Sequence, residues 1–404
     1  MFHVESLSRS GIPSSKHVRP LRNRIVWRRG IRTHKHVIRP VTACEYLCSR
    51  RAPRATTLVA DIAIDEPGNA CNNGGHVHVT SEKIYSALPP NDAINPGMTQ
   101  KEVVSNGPGF RRRLKDKAKS LLPDILFLSL LHRKEVGRFP NLIRPRTFNE
   151  QILRRSLKPD PRYAPLTDKL GVREYVGRVL GEEFLVPLIS APEEFTRVLF
   201  DSLPNSFVMK ANHGSSFVEV MHDKSKVSFE RLQQLAAQWL STDFYKNARE
   251  RHYRDIAPRL FFEALLLDKD GEIPADYKVH CFARKTGRPE MYILHISNRF
   301  GQDPRGNIYD VNWNHLDVEV GGYARSPAPE PPPANLTAIL HAAEMLSQGF
   351  DYVRVDLYAP DNAIYFGELT FTPGAGVVPI FPDSVDLEWG KLFKSLGSSY
   401  RALI

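Results

Sequence analysis

The most regular alternation in the chain lies near its C-terminal end. In 351–358, DYVRVDLY, the apolar Val353, Val355 and Leu357 alternate with Arg354, Asp356 and Tyr358, the period of two of a strand with one buried face. Ala359-Pro360-Asp361-Asn362 is turn chemistry and predicts an antiparallel hairpin with 363–371. Strict alternation in that second strand puts Ile364, Phe366, Glu368 and Thr370 on one face, opposite Tyr365, Gly367, Leu369 and Phe371. A second hairpin joins 207–211 to 217–221 through the small polar turn Asn212-His213-Gly214-Ser215-Ser216. The segment 259–267 is apolar but for Glu263 and reads as an interior strand; after a turn at 268–271, strands follow at 276–283 and 290–297.

Helical spacing dominates the middle of the chain. RRRLKDKAKSLL at 111–122 predicts a basic helix, and Pro123-Asp124 opens an apolar one through Leu131, proline being tolerated where its missing N–H has no helical partner. Thr147 and Glu150 have the capping-box spacing that leads into a helix over 151–157. Thr167 or Asp168 can cap a helix whose apolar positions are Leu170, Tyr175, Val176, Val179 and Leu180. Lys169 falls in its first turn, where a cation opposes the helix dipole, a hint that an anion is bound there. The proline-rich run 327–333 reads as a stiff loop. Residues 1–97 show no sustained period. The expected organisation is a disordered basic leader over 1–97, a helical preface over 98–160, and a main body over 161–400.

Composition changes this picture in one respect. The net charge of +10 invites a nucleic-acid partner, but residues 1–54 hold 13 Lys+Arg against 2 Asp+Glu, leaving 42 against 43 in the remainder. The globular part is near neutral, which suits an enzyme better than a nucleic-acid groove, so no nucleic acid is expected. Cys44, Cys48, Cys71 and Cys281 are too few and too scattered for a disulfide framework, and point to a reducing cytoplasm. Cys44, Cys48 and Cys71 with His76 or His78 can be drawn as a zinc site, but no second pair matches the first. No apolar run reaches the ~18–20 residues that a membrane span needs. The basic helix followed by an apolar one can rest peripherally on an anionic membrane or pack against the main body.

Three features carry candidate chemistry. Asp356 and Glu368, one on each strand of the C-terminal hairpin, can converge on a hard cation such as Mg²⁺, or belong to a solvated sheet face. Lys210 enters a turn of small polar residues whose N–H and hydroxyl groups can close over phosphates, as many surface hairpins also could. Glu263, alone in an apolar strand, must be paired, protonated or bound. An adenine–ribose pocket would satisfy it, as would a salt bridge with Arg259 or Lys278.

Together these segments resemble the ATP-grasp superfamily, and within it the teichuronopeptide-biosynthesis (TupA-like) branch. The residues that carry the resemblance are PRTFNEQI at 145–152, LTDKLGVREYV at 166–176, FVMKANHGSS at 207–216, DYKVHCF at 276–282, NIYDVNWN at 307–314, and FDYVRVDLY and IYFGELTFTPGAG within 350–376. It covers roughly residues 121–395. The resemblance implies an α+β, ATP-grasp fold of two subdomains enclosing ATP: a lid at about 180–265 and a metal-binding subdomain at about 266–400. It implies that Lys169 and Lys210 bind the nucleotide's phosphates and that Gly214, Ser215 and Ser216 form the loop closing over them. Glu263 resembles the acid at the hinge near adenine and ribose, and Asp276 and Lys278 follow in the nucleotide-facing strand. Asp356, Glu368 and Thr370 resemble the magnesium site, with Arg354 beside them to stabilise the transferred phosphoryl charge. Thr370 stands where the family usually has Asn, and Ser216-Phe217 where more glycine is common.

The activity implied is an ATP- and Mg²⁺-dependent carboxylate–amine ligation through an acyl phosphate, in cell-surface polysaccharide or polymer assembly. The partner would be a small molecule or a polymer intermediate. Arg299 and Arg305 are candidate clamps for an anionic acceptor or solvated loop cations, and His213 orients phosphate or acceptor or is a hydrogen-bonded turn histidine. The alternatives are phosphoryl or glycosyl transfer in the same pathway, or a binding protein that uses the basic leader on nucleic acid or anionic membrane.

Overall fold

A computed structural model of the chain describes residues 121–301 and 303–393. The leader, most of the helix expected at 111–122 and the Cys44, Cys48, Cys71, His76, His78 set lie outside the described residues.

Two antiparallel sheets organise what is described. The smaller runs in the order β1 (Leu188–Ser190), β4 (Leu260–Glu263), β2 (Phe207–Ala211), β3 (Val218–Met221). The larger runs β11 (Tyr365–Thr370), β10 (Tyr352–Tyr358), β5 (Asp276–Phe282), β6 (Glu290–Ser297), β7 (Arg305–Tyr309), β8 (His315–Leu316). A two-stranded pair joins β9 (Glu319–Val320) to β12 (Ile380–Phe381).

Period two sorts the side chains of both sheets. Phe207, Met209 and Ala211 of β2 and Leu260 and Phe262 of β4 enter one core with Leu232, Ala236 and Trp239 of the helix Phe229–Leu240. Val208, Lys210, Phe261 and Glu263 therefore share the opposite face. On the large sheet, Tyr277, Val279 and Cys281 of β5 and Val353, Val355 and Leu357 of β10 pack against Val172 and Val176 and against Ile339, Ala342 and Leu346. Lys278, His280, Arg354 and Asp356 are left on the other face, where Phe148, Phe282, Tyr352 and Trp389 close a third cluster beyond them.

The second strand of the C-terminal hairpin departs from strict alternation. Asp356 pairs with Glu368 in the register, but Leu357 pairs with Phe366, so Gly367 is the extra residue of a β-bulge. The bulge reverses the faces midway. Ile364 and Phe366 enter the core together with Leu369 and Phe371, while Glu368 and Thr370 turn to the side of Asp356 and Arg354. The expectation that Glu368 shares a face with Phe366 is corrected accordingly. Glycine fits the bulge closely: a Cβ on Gly367 would lie 3.0 Å from the Asp356 carbonyl oxygen and 3.3 Å from the Tyr358 ring, so a larger residue must displace its neighbours.

Other boundaries shift modestly. The apolar helix runs Asp124–Glu135, beyond Leu131, and the strand expected over 259–267 is confined to β4. Thr147 and Glu150 form the capping box, and the Glu150 carboxylate also accepts the Asn141 and Arg146 N–H groups at 2.9 and 2.7 Å. The later helix begins at Val172, so Lys169 sits in the preceding turn, where Asp168 Oδ1 accepts the Leu170 N–H at 2.9 Å.

Gly367→Val should destabilise the chain by about 1–3 kcal/mol, because a branched side chain must push β10 and β11 apart. Denaturant unfolding measures it. An unchanged midpoint would mean that the strands separate there without cost.

Candidate active site

The two polar faces meet at a cleft of about 430 Å³. Lys210 and Val218 line it from the small sheet and Lys278, His280, Arg354 and Asp356 from the large one. Glu368 and Thr370 of β11, Lys169 of the 168–171 turn and Ser215 and Ser216 of the β2–β3 loop complete its charged end. The other end is apolar, walled by Leu131, Phe148, Val378 and Trp389.

Asp356 and Glu368 face each other directly, an arrangement whose repulsion needs compensation. Arg354 lies between them. Its Nε donates to Asp356 Oδ1 at 2.6 Å, and its Nη2 to Asp356 Oδ2 at 2.7 Å, to Glu368 Oε1 at 3.2 Å and to Thr370 Oγ1 at 3.0 Å. Thr370 Oγ1 in turn donates to Glu368 Oε1 at 3.0 Å, so the hydroxyl joins guanidinium to carboxylate. Lys278, itself buried, bridges Asp356 and Asp276, and Arg299 shares the Asp276 Oδ2 with it. Lys169 Nζ lies 3.1 Å from Glu368 Oε2 and donates to the Gly214 carbonyl at 2.9 Å. Burial alone would raise the Glu368 carboxyl, but Lys169, Arg354 and Lys278 hold it well below the usual carboxylate range.

A second ionic group sits on the small sheet. Glu263 accepts from Lys210 Nζ at 2.6 Å and from Arg173 at 3.0 Å. Its partners are thus neither Arg259 nor Lys278. Arg173, from the helix Val172–Val179, lies within the 166–176 motif but is not among the expected site residues, and its facing of Glu263 reveals it. The side chains of Lys169 and Lys210 keep 17% and 18% exposure against 7% for Lys278, so those two can still reach a ligand. Around the cleft six cations, Lys169, Arg173, Lys210, Lys278, Arg299 and Arg354, pair with the four carboxylates of Glu263, Asp276, Asp356 and Glu368, while Glu250 and Glu135, the latter paired with Lys134, add acidic groups to the wall.

Not every expected residue converges. His213 is buried away from the cleft, its Nε2 3.1 Å from the Trp239 carbonyl and its ring against Phe217; burial pushes its imidazole below the ordinary value. Arg305 pairs with Asp303 and donates to the Arg325 carbonyl at 3.0 Å, outside the cleft. Of the two candidate clamps only Arg299 lines it. Asp276 and Glu263 hold the cations and do not line the cleft themselves. Gly214 packs under Phe217 and Phe244, where a Cβ would meet each ring at 2.6 Å. Phe217 also stacks on Trp239 and, with Ser216 at φ 63, ties the β2–β3 loop to the small sheet's core.

Glu250 has no signature in the sequence, because the irregular stretch around it shows neither period nor motif. Buried in the cleft wall beside Tyr253, its carboxyl accepts from the Thr372 hydroxyl. Among the described residues no ion pair is recorded for it. Burial raises it to about 7 despite that hydrogen bond, and the negative charge of Glu368 adds to the rise.

A second, narrow pocket opens off Lys210 and Tyr358, which line both cavities. It is apolar, walled by Val186, Val208, Leu265 and Leu266. Among the described residues no group of three or more His, Cys, Asp or Glu is placed to hold a metal ion. No helix among them is long and apolar enough to cross a membrane.

The family described as TupA-like ATPgrasp matches residues 149–394. No curated protein matches the chain. Similar solved structures include a D-alanine–D-alanine ligase from Helicobacter pylori, at 15% identity over 57% of this chain and 61% of that one, with a TM-score of 0.34. The corresponding ligase from Bacillus anthracis is 17% identical over 59% and 68%, with a TM-score of 0.35. The ATP-grasp ligase PsnB, complexed with a phosphomimetic variant of its minimal precursor, Mg and ADP, is 14% identical over 63% and 65%, with a TM-score of 0.32. The chain spans 61% of the length of the first of these.

Because the Glu250 carboxyl lies near 7 when folded and near 4.5 otherwise, its stabilising protonated form is fully present below about 4.5 and is lost as pH rises through about 7. Over that window the chain should lose about 3 kcal/mol relative to Glu250→Gln, which cannot titrate. Denaturant unfolding at about pH 5 and about pH 7.5 measures the difference. Equal losses in both proteins would show that Glu250 titrates as an ordinary carboxyl.

Proposed function

The chain belongs to the TupA-like ATP-grasp family, and from that premise we propose that it is an ATP-dependent ligase that joins a carboxylate to an amine through an acyl phosphate. One observation carries the reading: Lys169 and Lys210, from two different elements, reach the same cleft as the opposed Asp356 and Glu368.

The charges fit a magnesium–nucleoside triphosphate. The surplus of cations among the ion-paired groups of the cleft suits the phosphates of such a complex. Asp356, Glu368 and Thr370 offer hard oxygen donors, and the place where they converge already accepts a cationic group, the Arg354 guanidinium. These three residues would hold Mg²⁺, as one or two carboxylates plus substrate phosphates usually do. When bound, the ion would supply Lewis-acid neutralisation of the phosphate oxygens.

The remaining work falls to the chain's own side chains. Lys169 and Lys210 draw in the phosphates, Lys210 exchanging part of its pairing with Glu263, which keeps Arg173. The apolar pocket beside Lys210, about 50 Å³ in this structure, would take the edge of a purine base only after widening. Arg354 faces the phosphoryl oxygens as their charge develops, and Asp276 holds Lys278 and Arg299 in place around them. The apolar end of the cleft receives the acceptor and excludes water from the acyl phosphate. A role in cell-surface polysaccharide or polymer assembly is proposed from the resemblance to the teichuronopeptide branch.

Titration calorimetry with ATP tests the site. Binding should require Mg²⁺, and Lys210→Ala and Glu368→Gln should each weaken it about tenfold or more, about 1.4 kcal/mol each. A folded chain that binds no ATP would overturn the proposal. ADP release that needs a carboxylate but consumes no amine would favour phosphoryl transfer instead.

A further inference from the structure

The helix Asp124–Glu135 and the loop after it carry a cluster of exposed apolar side chains. Leu126 is 46% exposed, Leu130 44%, Phe139 63% and Ile143 89%. On the helix Leu126 and Leu130 are four residues apart and so neighbours on its surface. Arg133 extends the same side, and its guanidinium lies over the Phe139 ring at 5.9 Å. Arg144 and Arg146 are exposed beside Ile143, and Lys134 has 73% of its side chain in solvent.

Basic residues dominate this patch: residues 121–146 hold 5 Lys+Arg against 2 Asp+Glu. Lys134 pairs with Glu135 and Arg138 with Asp383 and Asp386, but apolar side chains interleaved with the exposed Arg133, Arg144 and Arg146 are poorly served by water and by another basic surface. They suit a partner that offers hydrocarbon beneath anionic groups.

We propose that residues 121–146 dock this protein on the surface of an anionic lipid bilayer, with Leu126, Leu130, Phe139 and Ile143 entering the headgroup boundary and Arg133, Arg144 and Arg146 meeting the lipid charges. The docking is peripheral. The opposite side of the helix faces the protein, through the buried Leu128 and His132, and Leu131 and Glu135 line the active-site cleft, so the bilayer would lie behind one wall of that cleft. The stretch 55–110, with 6 Asp+Glu against 2 Lys+Arg, is the competing occupant within the chain, and a second copy is the other.

Sedimentation of the full chain with vesicles decides, and needs neither nucleotide nor substrate, so it stands or falls separately from the ligase reading. The chain should pellet with phosphatidylcholine vesicles containing about 30% phosphatidylglycerol and stay in solution with phosphatidylcholine alone. Phe139→Ser with Ile143→Ser, and separately Arg144→Glu with Arg146→Glu, should each weaken binding about tenfold with unfolding midpoints unchanged. Should a double variant fold poorly, Ile143→Ser alone still should reduce binding, since that side chain is almost fully exposed. Four results would overturn the proposal. They are no binding by the wild-type chain, equal binding to neutral vesicles, binding indifferent to all patch substitutions because the 1–54 segment carries it, and patch substitutions that change only the oligomeric state.

Discussion

Two carboxylates held opposite one another on adjacent strands repel, and the polar face of the large sheet is arranged around that repulsion. At a separation of ~4 Å the cost is about 4 kcal/mol even in a well-screened protein environment. Arg354 between Asp356 and Glu368, Lys278 on one and Lys169 on the other remove it. Those cations are largely buried in turn, and Lys278 is matched by Asp276, which also takes Arg299. Each member therefore owes its place to the next, and truncating one strands a buried charge at about 3–5 kcal/mol. Substitutions within the network will not add.

The small sheet solves a similar problem independently. Lys210 and Glu263 emerge on the same face of β2 and β4, and Arg173 completes a triad from a helix that packs chiefly on the large sheet's core. The cleft is bounded by one ionic group from each sheet, and a ligand touching Lys210 and Lys169 together would draw on both. The β2–β3 loop that lies over it is anchored by Phe217 against Trp239 and Phe244 rather than left free, so any closure there must move an aromatic cluster.

Much of this was legible along the chain. Alternation in 351–358 and 207–211 separates core from cleft residues, because the pleat allows no other distribution once one face is apolar. The Thr147–Glu150 capping box is equally local, its partners lying three residues apart. Reading failed where a local rule was broken or a partner was distant. One extra residue at Gly367 reversed the faces of β11, and nothing in period-two reasoning announces a bulge. Glu263 was bound to need a counter-charge, but those it found lie 53 and 90 positions away.

By itself, then, the sequence determined that 207–211 and 351–358 are strands with one face in the core, that Thr147 and Glu150 open a helix, and, through its ordered motifs, the family. Only the tertiary structure decided that Glu368 faces Asp356, that Arg173 joins the site, that His213 and Arg305 leave it, and that Glu250 is buried in the cleft wall. The physical reason is range. Burial and backbone hydrogen bonding act on near neighbours and leave a periodic trace, whereas the energy of a charge is set by whatever group the fold brings within a few ångströms, from anywhere in the chain.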